Sequence, residues 1–464
     1  MRHRHAVPAA LLLLLATAPT GHAADVGPAP TPDLACAAGS LPEQMQGRAP
    51  ASDVATGRTE QGYTCNAVEV SHIGMSGGYR VERYVDSAGH ECGFFDSDTF
   101  IGEQVAKTGP TGTGVYVVDL SDPAHPVQTD TLRTAAMQSP HESLRLNARR
   151  GILAAALSSI STGPGEIDLY DVSTDCRHPV LLGTNPLGIL GHESAFAPDG
   201  LTYYVTSLNA HSLSAVDVSD PANPKVEWFV FSYAAHGASV SLDGNRLYVA
   251  ESGNNGFSGL TILDVSQVQQ RVPFPTVPVV SQLTWPEVSI PQNATPFSRN
   301  GHQYVLEVDE FGERVTGAAR IIDVQDEKHP FVLSNLRLEV NQPEVYDELQ
   351  GDPGNGGTGR GYQAHYCTVP SRIDPNIVAC SFIMSGLRVF DIRDPAHPVE
   401  IAYFNKPTVS GDLNTGAFAM SAPAYDPESH DVWYTDGNKG LYVVRLVGAA
   451  GDIPFAGSYV SPGS

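Results

Sequence analysis

Residues 115–127 read VYVVDLSDPAHPV, a run of β-branched and aromatic residues that ends in aspartate and is followed by an Asp-Pro turn. Such a run, bounded by turn residues, is typical of a β-strand. The pattern returns at residues 213–224 as LSAVDVSDPANP and at residues 387–399 as LRVFDIRDPAHPV. Weaker copies lie at Asp171, Asp264, Asp323 and residues 441–446. The chain therefore repeats one unit seven times.

The spacing between units, roughly 46 to 68 residues, suits a four-stranded propeller blade. A polar turn and an aromatic strand such as residues 203–205 precede each aspartate strand, and a further strand such as residues 399–404 follows it. The sequence predicts an all-β fold, a seven-bladed β-propeller with four-stranded blades. The run Ala67–Ile73 fits an outer strand, so we expect it to pair with the last blade and close the ring.

The repeated V-x-V-V-D-[VL]-S-D-P-A-[HN]-P run resembles the LVIVD repeat family, whose members are regarded as secreted or surface propellers. The resemblance covers most of residues 66–448 and implies an architecture more than an activity. The strand, Asp-Pro turn and strand are more distantly similar to selenium-binding proteins and methanethiol oxidases. The matching positions are the repeat residues themselves, so this second resemblance implies no catalytic residue.

The N-terminus has the pattern of a signal peptide over residues 1–23, with Arg2 and Arg4 before a short apolar run and small residues at 21–23. Residues 24–64 are rich in Ala, Pro, Gly and Thr and predict an extended leader. Residues 65–464 form the predicted propeller. These patterns indicate a secreted or periplasmic protein.

The composition limits the classes of partner. No later apolar stretch is long enough to insert into a membrane, and a formal net charge of −24 opposes binding to nucleic acid. A small-molecule ligand or substrate is the expected partner, and a protein partner is the alternative.

The six cysteines predict up to three disulfides in an oxidising compartment. Cys367 and Cys380 can face each other across one hairpin. Cys36 with Cys65 would hold the N-terminal segment, and a bond between Cys92 and Cys176 is a further hypothesis that no spacing argument supports.

Histidines recur in one register of the repeat, about 25 to 30 residues before the aspartate of their unit. Each should stand where the first strand of its blade begins, and that strand lines the central channel of a propeller. The set consists of His141, His192, His236 and His365, with His90 as a fifth candidate held less firmly. Blade 5 has Gln292 or Asn293 in this register and blade 7 has Met420 or Ser421, so the ring of histidines is incomplete.

Converging neutral imidazoles predict a transition-metal ion, with Cu or Fe favoured and Zn as a further option. Glu91, Glu142 and Glu193 directly follow three of the histidines. Because adjacent strand residues point to opposite faces, each glutamate should orient a histidine of a neighbouring blade instead of binding the ion. The layout parallels the four-histidine iron site of carotenoid oxygenases, whose sequence motifs are absent. The alternative is a wet channel in which the histidines bind water.

Three functions follow from this site. The first is a metal-dependent oxidoreductase acting on a small organic substrate, and the second is a hydrolase or lyase that uses the same ligands. The third is a non-catalytic binding or cell-surface interaction propeller. A separate acidic run, Glu307-Val308-Asp309-Glu310, favours a solvated turn over a calcium site.

Overall fold

The computed structural model describes residues 28–97, 113–158, 165–185, 191–311, 317–355, 361–406 and 417–457. These residues form seven antiparallel sheets arranged as the blades of a propeller, which confirms the predicted fold class. The predicted signal peptide lies outside the described residues.

The N-terminal segment reaches the propeller through short elements. These are α1 (Ala51–Thr56), a 3-10 helix (Arg58–Gln61), β1 (Tyr63–Cys65) and β2 (Ala67–Ile73).

The first four blades follow in chain order. Blade 1 contains β3 (Val81–Val85), β4 (Glu91–Asp96), β5 (Val115–Asp119) and β6 (Val127–Leu132). A short helix, α2 (Ala135–Gln138), connects blade 1 to blade 2. Blade 2 contains β7 (Arg145–Asn147), β8 (Ile152–Ala156), β9 (Ile167–Asp171) and β10 (Val180–Asn185). Blade 3 contains β11 (Ser194–Phe196), β12 (Thr202–Ser207), β13 (Ser212–Asp217) and β14 (Lys225–Phe231). Blade 4 contains β15 (Ala235–Val240), β16 (Arg246–Asn254), β17 (Phe257–Asp264), α3 (Ser266–Gln269) and β18 (Val279–Leu283).

The last three blades complete the ring. Blade 5 contains β19 (Ile290–Arg299), β20 (His302–Glu310), β21 (Ala319–Asp323) and β22 (Phe331–Leu336). Two 3-10 helices (Glu339–Asn341 and Pro343–Leu349) lead to blade 6, with β23 (Ala364–Thr368), β24 (Ile377–Phe382), β25 (Gly386–Asp391) and β26 (Val399–Asn405). Blade 7 contains β27 (Ala424–Asp426), β28 (Asp431–Asp436) and β29 (Gly440–Leu446), before α4 (Gly448–Gly451).

Within each blade the strands pair in chain order, and the first strands of neighbouring blades contact one another around the axis. Apolar side chains fill the space between adjacent sheets. Between blades 2 and 3, for example, Ile152 and Leu169 pack with Tyr203 and Val216 in one buried cluster. The repeat therefore folds because each sheet buries both faces against its neighbours.

Ring closure comes from the N-terminal strand. β2 pairs antiparallel with β29 and becomes the outer strand of blade 7, as the sequence predicts. β1 adds a fifth strand to blade 6 by pairing with β26. The N-terminal segment thus covers the outer edges of β26 and β29, which would otherwise be open.

The aspartates of the repeat organise turns. Asp119 Oδ1 accepts a hydrogen bond from the Ser121 backbone N–H at 2.9 Å, and Asp217 and Asp391 make the same contact two residues ahead. The Asp-Pro repeat is therefore turn chemistry, located on the face of the propeller where the third strand of each blade ends.

All three predicted disulfides are present, joining Cys36 to Cys65, Cys92 to Cys176 and Cys367 to Cys380. The last pair faces across β23 and β24, as expected for one hairpin. Disulfides are compatible with the predicted export. None of the helices within the described ranges is long and apolar enough to cross a membrane.

Candidate metal centre

The first strands bring the four main candidate histidines together at the axis. His141 and His192 stand just before β7 and β11, whereas His236 and His365 lie within β15 and β23. The ring centroids of His141 and His192 are 4.6 Å apart, and those of His192 and His236 are 4.7 Å apart. All four side chains are buried. The shared register in the sequence thus corresponds to a shared position in space.

Irregular backbone aims these side chains at the axis. In blades 4, 5 and 6 the pairing of first and second strands skips one residue, which is His236, Gln292 or His365. Bulges of this kind re-aim side chains beside functional sites. In blade 2, His141 has a positive φ of 50°, which breaks the strand alternation before Glu142. Adjacent residues can therefore both face the axis.

The carboxylate of Glu142 lies among the imidazoles. Its Oε2 is 3.3 Å from His192 Nε2 and 3.5 Å from His236 Nε2. Its Oε1 accepts a hydrogen bond from Gln292 Nε2 at 2.9 Å and lies 3.7 Å from His365 Nε2. Glu142 does reach histidines of other blades, as the sequence predicts. Its position between their Nε2 atoms, however, makes it a potential ligand and not only a residue that orients them.

Glu310 is a second carboxylate at the site, and sequence reasoning missed it. It ends β20, the second strand of blade 5, and its two oxygens lie 3.5 Å from His236 Nε2 and 3.2 Å from His365 Nε2. The prediction of a solvated turn at residues 307–310 is wrong, because the acidic side chains there are buried. Glu307 and Asp309 instead form ion pairs with buried Arg320. The acidic run was the available signal for Glu310.

We refer to His141, Glu142, His192, His236, Glu310 and His365 as the axial cluster. One of its histidines has a fixed tautomer, since His365 Nδ1 donates to the Met420 carbonyl oxygen at 2.6 Å. That bond leaves the lone pair of Nε2 directed toward the carboxylates. The blade 7 position that lacks histidine thus supplies the backbone carbonyl that orients His365.

Several polar atoms of the axial cluster have no hydrogen-bond partner. They are His192 Nδ1 and Nε2, His236 Nδ1 and Glu142 Oε2. Burying such atoms without a partner costs about 1–3 kcal/mol each. A cation coordinated by Nε2 and carboxylate oxygen would satisfy the innermost of them, so the residues present fit a metal ion.

The electrostatics of the axial cluster also favour a cation. Burial lowers the pKa of His141 to about 3. The pKa of His236 rises to about 9, because Glu310 and Glu142 outweigh the effect of burial. Burial opposes the charge of Glu142, yet His141 and the other imidazoles hold its pKa well below the usual range. The cluster therefore keeps an ionised carboxylate among histidines.

His90 is not part of the axial cluster, so the prediction that it is the blade 1 equivalent of the other histidines is wrong. It lies at the turn before β4, where its Nδ1 contacts Asp86 Oδ2 at 2.9 Å and Asp175 Oδ1 at 3.8 Å. The blade 1 position at the axis belongs to Tyr79, whose ring centroid is 4.5 Å from that of His141. Counting back from Asp119 fails here because residues 97–114 lengthen the connection between β4 and β5. Tyr79 and His90 stand at opposite ends of β3, about 20 Å apart along a strand.

Two of the three glutamates also depart from their predicted role. Glu91 pairs with Arg83 on blade 1. Glu193 forms ion pairs with Arg80 and Arg145 and accepts a hydrogen bond from Asn293 Nδ2 at 2.7 Å. These four residues, Arg80, Arg145, Glu193 and Asn293, make a buried polar layer beneath the axial cluster. These contacts all fall on Oε1 of Glu193, and its buried Oε2 has no hydrogen-bond partner among the described residues, so no hydrogen bond joins Glu193 to a histidine.

The central channel holds a cavity of about 150 Å³ beneath the axial cluster. Arg80, Arg145 and Asn293 line its inner end. Ser239, Thr295, Thr368, Arg372 and Tyr425 line it further toward the face with the Asp-Pro turns. Asn293 directly follows Gln292, so the cavity extends to the layer next to the cluster. The residues that line the cavity include none of the axial cluster, so the polar layer lies between this space and the donors.

A family comparison finds the LVIVD repeat in two segments of the chain, residues 111–134 and 234–268. These segments include the aspartate strands of blades 1 and 4. The finding supports the resemblance seen in the repeat itself. No curated protein matches the sequence. The more distant similarity to selenium-binding proteins and methanethiol oxidases is not shown.

Solved structures share the propeller architecture at low sequence identity. The β-propeller domain of Cps50 (Swd1) from Myceliophteria thermophila is 10% identical, with a TM-score of 0.51, over 82% of this chain and 99% of that one. Sqt1 from Chaetomium thermophilum is 13% identical, with a TM-score of 0.51, over 81% and 97%. A protein from Lactobacillus plantarum is 17% identical, with a TM-score of 0.50, over 75% and 95%. At these identities the likeness establishes the fold alone.

Proposed function

We propose that the axial cluster binds a transition-metal ion and that the protein is a metal-dependent oxidoreductase acting on a small organic substrate. The observation that carries this proposal is the position of Glu142 among the Nε2 atoms of three histidines, at 3.3 to 3.7 Å. Donor atoms at about 2.0–2.2 Å from one ion lie about 3 to 3.6 Å from each other. These donor atoms could therefore bind one ion after only small movements of their side chains.

The donor set narrows the choice of metal. Imidazole nitrogen suits Zn, Cu and Fe, whereas carboxylate oxygen is a hard donor. All six cysteines are in disulfides, so the site has no thiolate to offer. A mixed set of histidine and carboxylate is the arrangement found in non-haem Fe(II) oxygenases. We therefore favour Fe over Cu, with Zn as the ion of a hydrolase or lyase.

The residues around the axial cluster have separate roles in this proposal. Met420 and Gln292 orient His365 and Glu142, so the ligands are held before an ion arrives. Burial keeps bulk water from the ligands, and a small substrate would approach them from the cavity on the other side of the polar layer. The ion supplies the redox or Lewis-acid chemistry that these side chains lack.

Metal analysis of the purified full-length protein tests the proposal. We expect at least one transition-metal ion per chain, a clearly lower metal content in His192→Ala, and an unchanged content in His125→Ala, which changes a histidine on an exposed turn. Electron paramagnetic resonance before and after dithionite should show a change in the oxidation state of the bound ion. A protein that takes up neither Fe, Cu nor Zn after reconstitution would contradict metal binding. A site that binds Zn alone would contradict the oxidoreductase and favour the hydrolase or lyase.

If the protein is instead a non-catalytic interaction propeller, the same experiment should give a different result. In that case the histidines would serve packing or hydration, and His192→Ala would leave the metal content at the level of the His125→Ala control. Metal content therefore separates the two classes before any substrate is known.

A further inference from the structure

We infer that the axial cluster holds two metal ions bridged by the carboxylate of Glu142. This inference rests on the proposed function, because it specifies the nuclearity of the same site. It starts from the number of donors. Four imidazoles and two carboxylates would fill all six positions of an octahedral ion, which would leave none for a substrate. Shared between two ions, the same six side chains leave open positions on both.

The donors separate into two groups that share one member. His141, Glu142 and His192 offer ligand atoms within 4.8 Å of one another. Glu142, His236 and Glu310 offer a second set within the same limit. His365 adds to the second set, because its Nε2 lies 3.2 Å from Glu310 Oε2. Each set contains at least two residues that the other lacks.

The geometry of Glu142 fits a bridging role. Its Oε2 lies between the two sets, 3.3 Å from His192 Nε2 in the first and 3.5 Å from His236 Nε2 in the second, and its Oε1 is 3.7 Å from His365 Nε2 in the second. The two oxygens of a carboxylate can each bind one ion, and the ions of two-metal sites lie about 3.5–4 Å apart. Gln292 donates to Oε1 at 2.9 Å and so fixes the plane of the carboxylate between the two sets.

Unpartnered donor atoms in the first set and on the shared carboxylate, together with the charge of the second set, support cation binding independently of the distances. His192 Nε2, in the first set, has no hydrogen-bond partner, and neither has Glu142 Oε2. In the second set two carboxylates, Glu142 and Glu310, lie within 3.5 Å of the same nitrogen of His236. Two carboxylates facing one imidazole concentrate negative charge that one bound cation in each set would offset.

Titration with Co(II) under anaerobic conditions tests the inference, because this ion replaces others at histidine and carboxylate sites and is visible by absorption. We expect the metal-free wild type to bind two equivalents. His141→Ala should bind one, since it lacks a donor of the first set, and Glu310→Gln should bind one, since it lacks a donor of the second. Glu142→Gln should abolish the magnetic coupling between the ions, and His125→Ala should bind two.

Circular dichroism and thermal unfolding establish that each variant is folded, and His141→Gln replaces His141→Ala if the latter is not. Saturation of the folded wild type at one equivalent overturns the two-ion inference and leaves the proposed function standing. Saturation at two equivalents in both His141→Ala and Glu310→Gln also overturns the assignment of the sets. Binding of no Co(II) overturns the inference and the proposed metal site together.

Discussion

Glu193 neutralises two buried arginines beneath the axial cluster. Its side chain is fully buried, and it pairs with both Arg80 and Arg145. Removing one partner of a buried ion pair costs about 3–5 kcal/mol, because the remaining charge has no partner. We therefore expect Glu193→Ala to lower the free energy of unfolding by at least about 3 kcal/mol, measured by urea denaturation.

Glu344→Ala is the control for this variant, because Glu344 is exposed in the connection to blade 6. Its expected change is below about 0.5 kcal/mol. Equal stability of Glu193→Ala and the control would show that the polar layer does not depend on this charge.

Asp436 gives a pH dependence that is independent of the axial cluster. Burial raises the pKa of its carboxyl to about 6, against hydrogen bonds from the backbone N–H groups of Phe418 and Asn438. A folded-state pKa above the unfolded value stabilises the fold below about pH 4, and this contribution is lost as the pH rises through 6. The shift corresponds to about 2 kcal/mol between pH 4 and pH 7.

Comparison with Asp436→Asn isolates that contribution. Between pH 4 and pH 7 the free energy of unfolding of the wild type should fall by about 2 kcal/mol more than that of the variant. Parallel pH profiles for the two proteins would contradict the assignment.

The sequence predicts some residues of the site correctly and not others. His141, His192, His236 and His365 were found because the repeat carries them in one register. Glu310 comes from a second strand and has no counterpart in the other blades, so spacing could not locate it. His90 was misplaced because a lengthened connection changed the count in blade 1. Register thus predicts side chains that the repeat duplicates and fails for those that one blade adds.

At the scale of the strand, departures from regular pairing build the site. In a regular strand, adjacent side chains such as those of His365 and Tyr366 point to opposite faces. The same alternation, applied to His141 and Glu142, predicts that Glu142 is not a ligand. Skipped pairing at His236, Gln292 and His365 and the positive φ of His141 remove that alternation. Sequence patterning predicts where strands begin, but bulges depend on contacts between blades and were not visible in it.

β2 is the strand that closes the ring, and its removal should be costly. A chain that begins at residue 74 lacks β2 and leaves β29 as an open edge. Six residue pairs join the two strands, and net hydrogen bonding of about 0.5–1 kcal/mol each predicts a loss of about 3 to 6 kcal/mol. Thermal unfolding and sedimentation velocity should show lower stability and self-association.

A chain that begins at Asn66 is the matched control, because it keeps β2 and lacks the same cysteines, Cys36 and Cys65. The difference between the two chains therefore reports the strand alone. If both unfold at the same temperature, β2 does not close the propeller.

At the scale of the whole molecule, the repeat determines the architecture and the axial cluster ties the blades together. The six side chains of the cluster come from five blades, 2 to 6, so a bound ion would link elements far apart in the chain. A ligand that binds only the folded state stabilises it by about 2.7 kcal/mol at a hundredfold excess over its dissociation constant. We expect metal removal by a strong chelator to lower the melting temperature of the wild type by several degrees, and that of His192→Ala by less. An unchanged melting temperature in the wild type would indicate that no ion links the blades.

The fold was predictable because seven copies of one unit carry the same strand and turn signals, and each copy reinforces the others. The Asp-Pro turns, the strand pattern of β2 and the hairpin disulfide between Cys367 and Cys380 follow from local sequence. The contacts of the N-terminal leader do not follow from local sequence. Glu43, for example, pairs with Arg388 of blade 6, which lies 345 positions away in the chain. Contacts of that range depend on the assembled ring and not on any local pattern.

The most direct test of the central claim is anomalous X-ray diffraction at the absorption edge of the metal found in the protein. We predict anomalous density on the propeller axis, about 2.0–2.3 Å from Nε2 of His236 or His365 and from a carboxylate oxygen of Glu142 or Glu310. Crystals of metal-reconstituted protein with no anomalous density among these side chains would contradict the account.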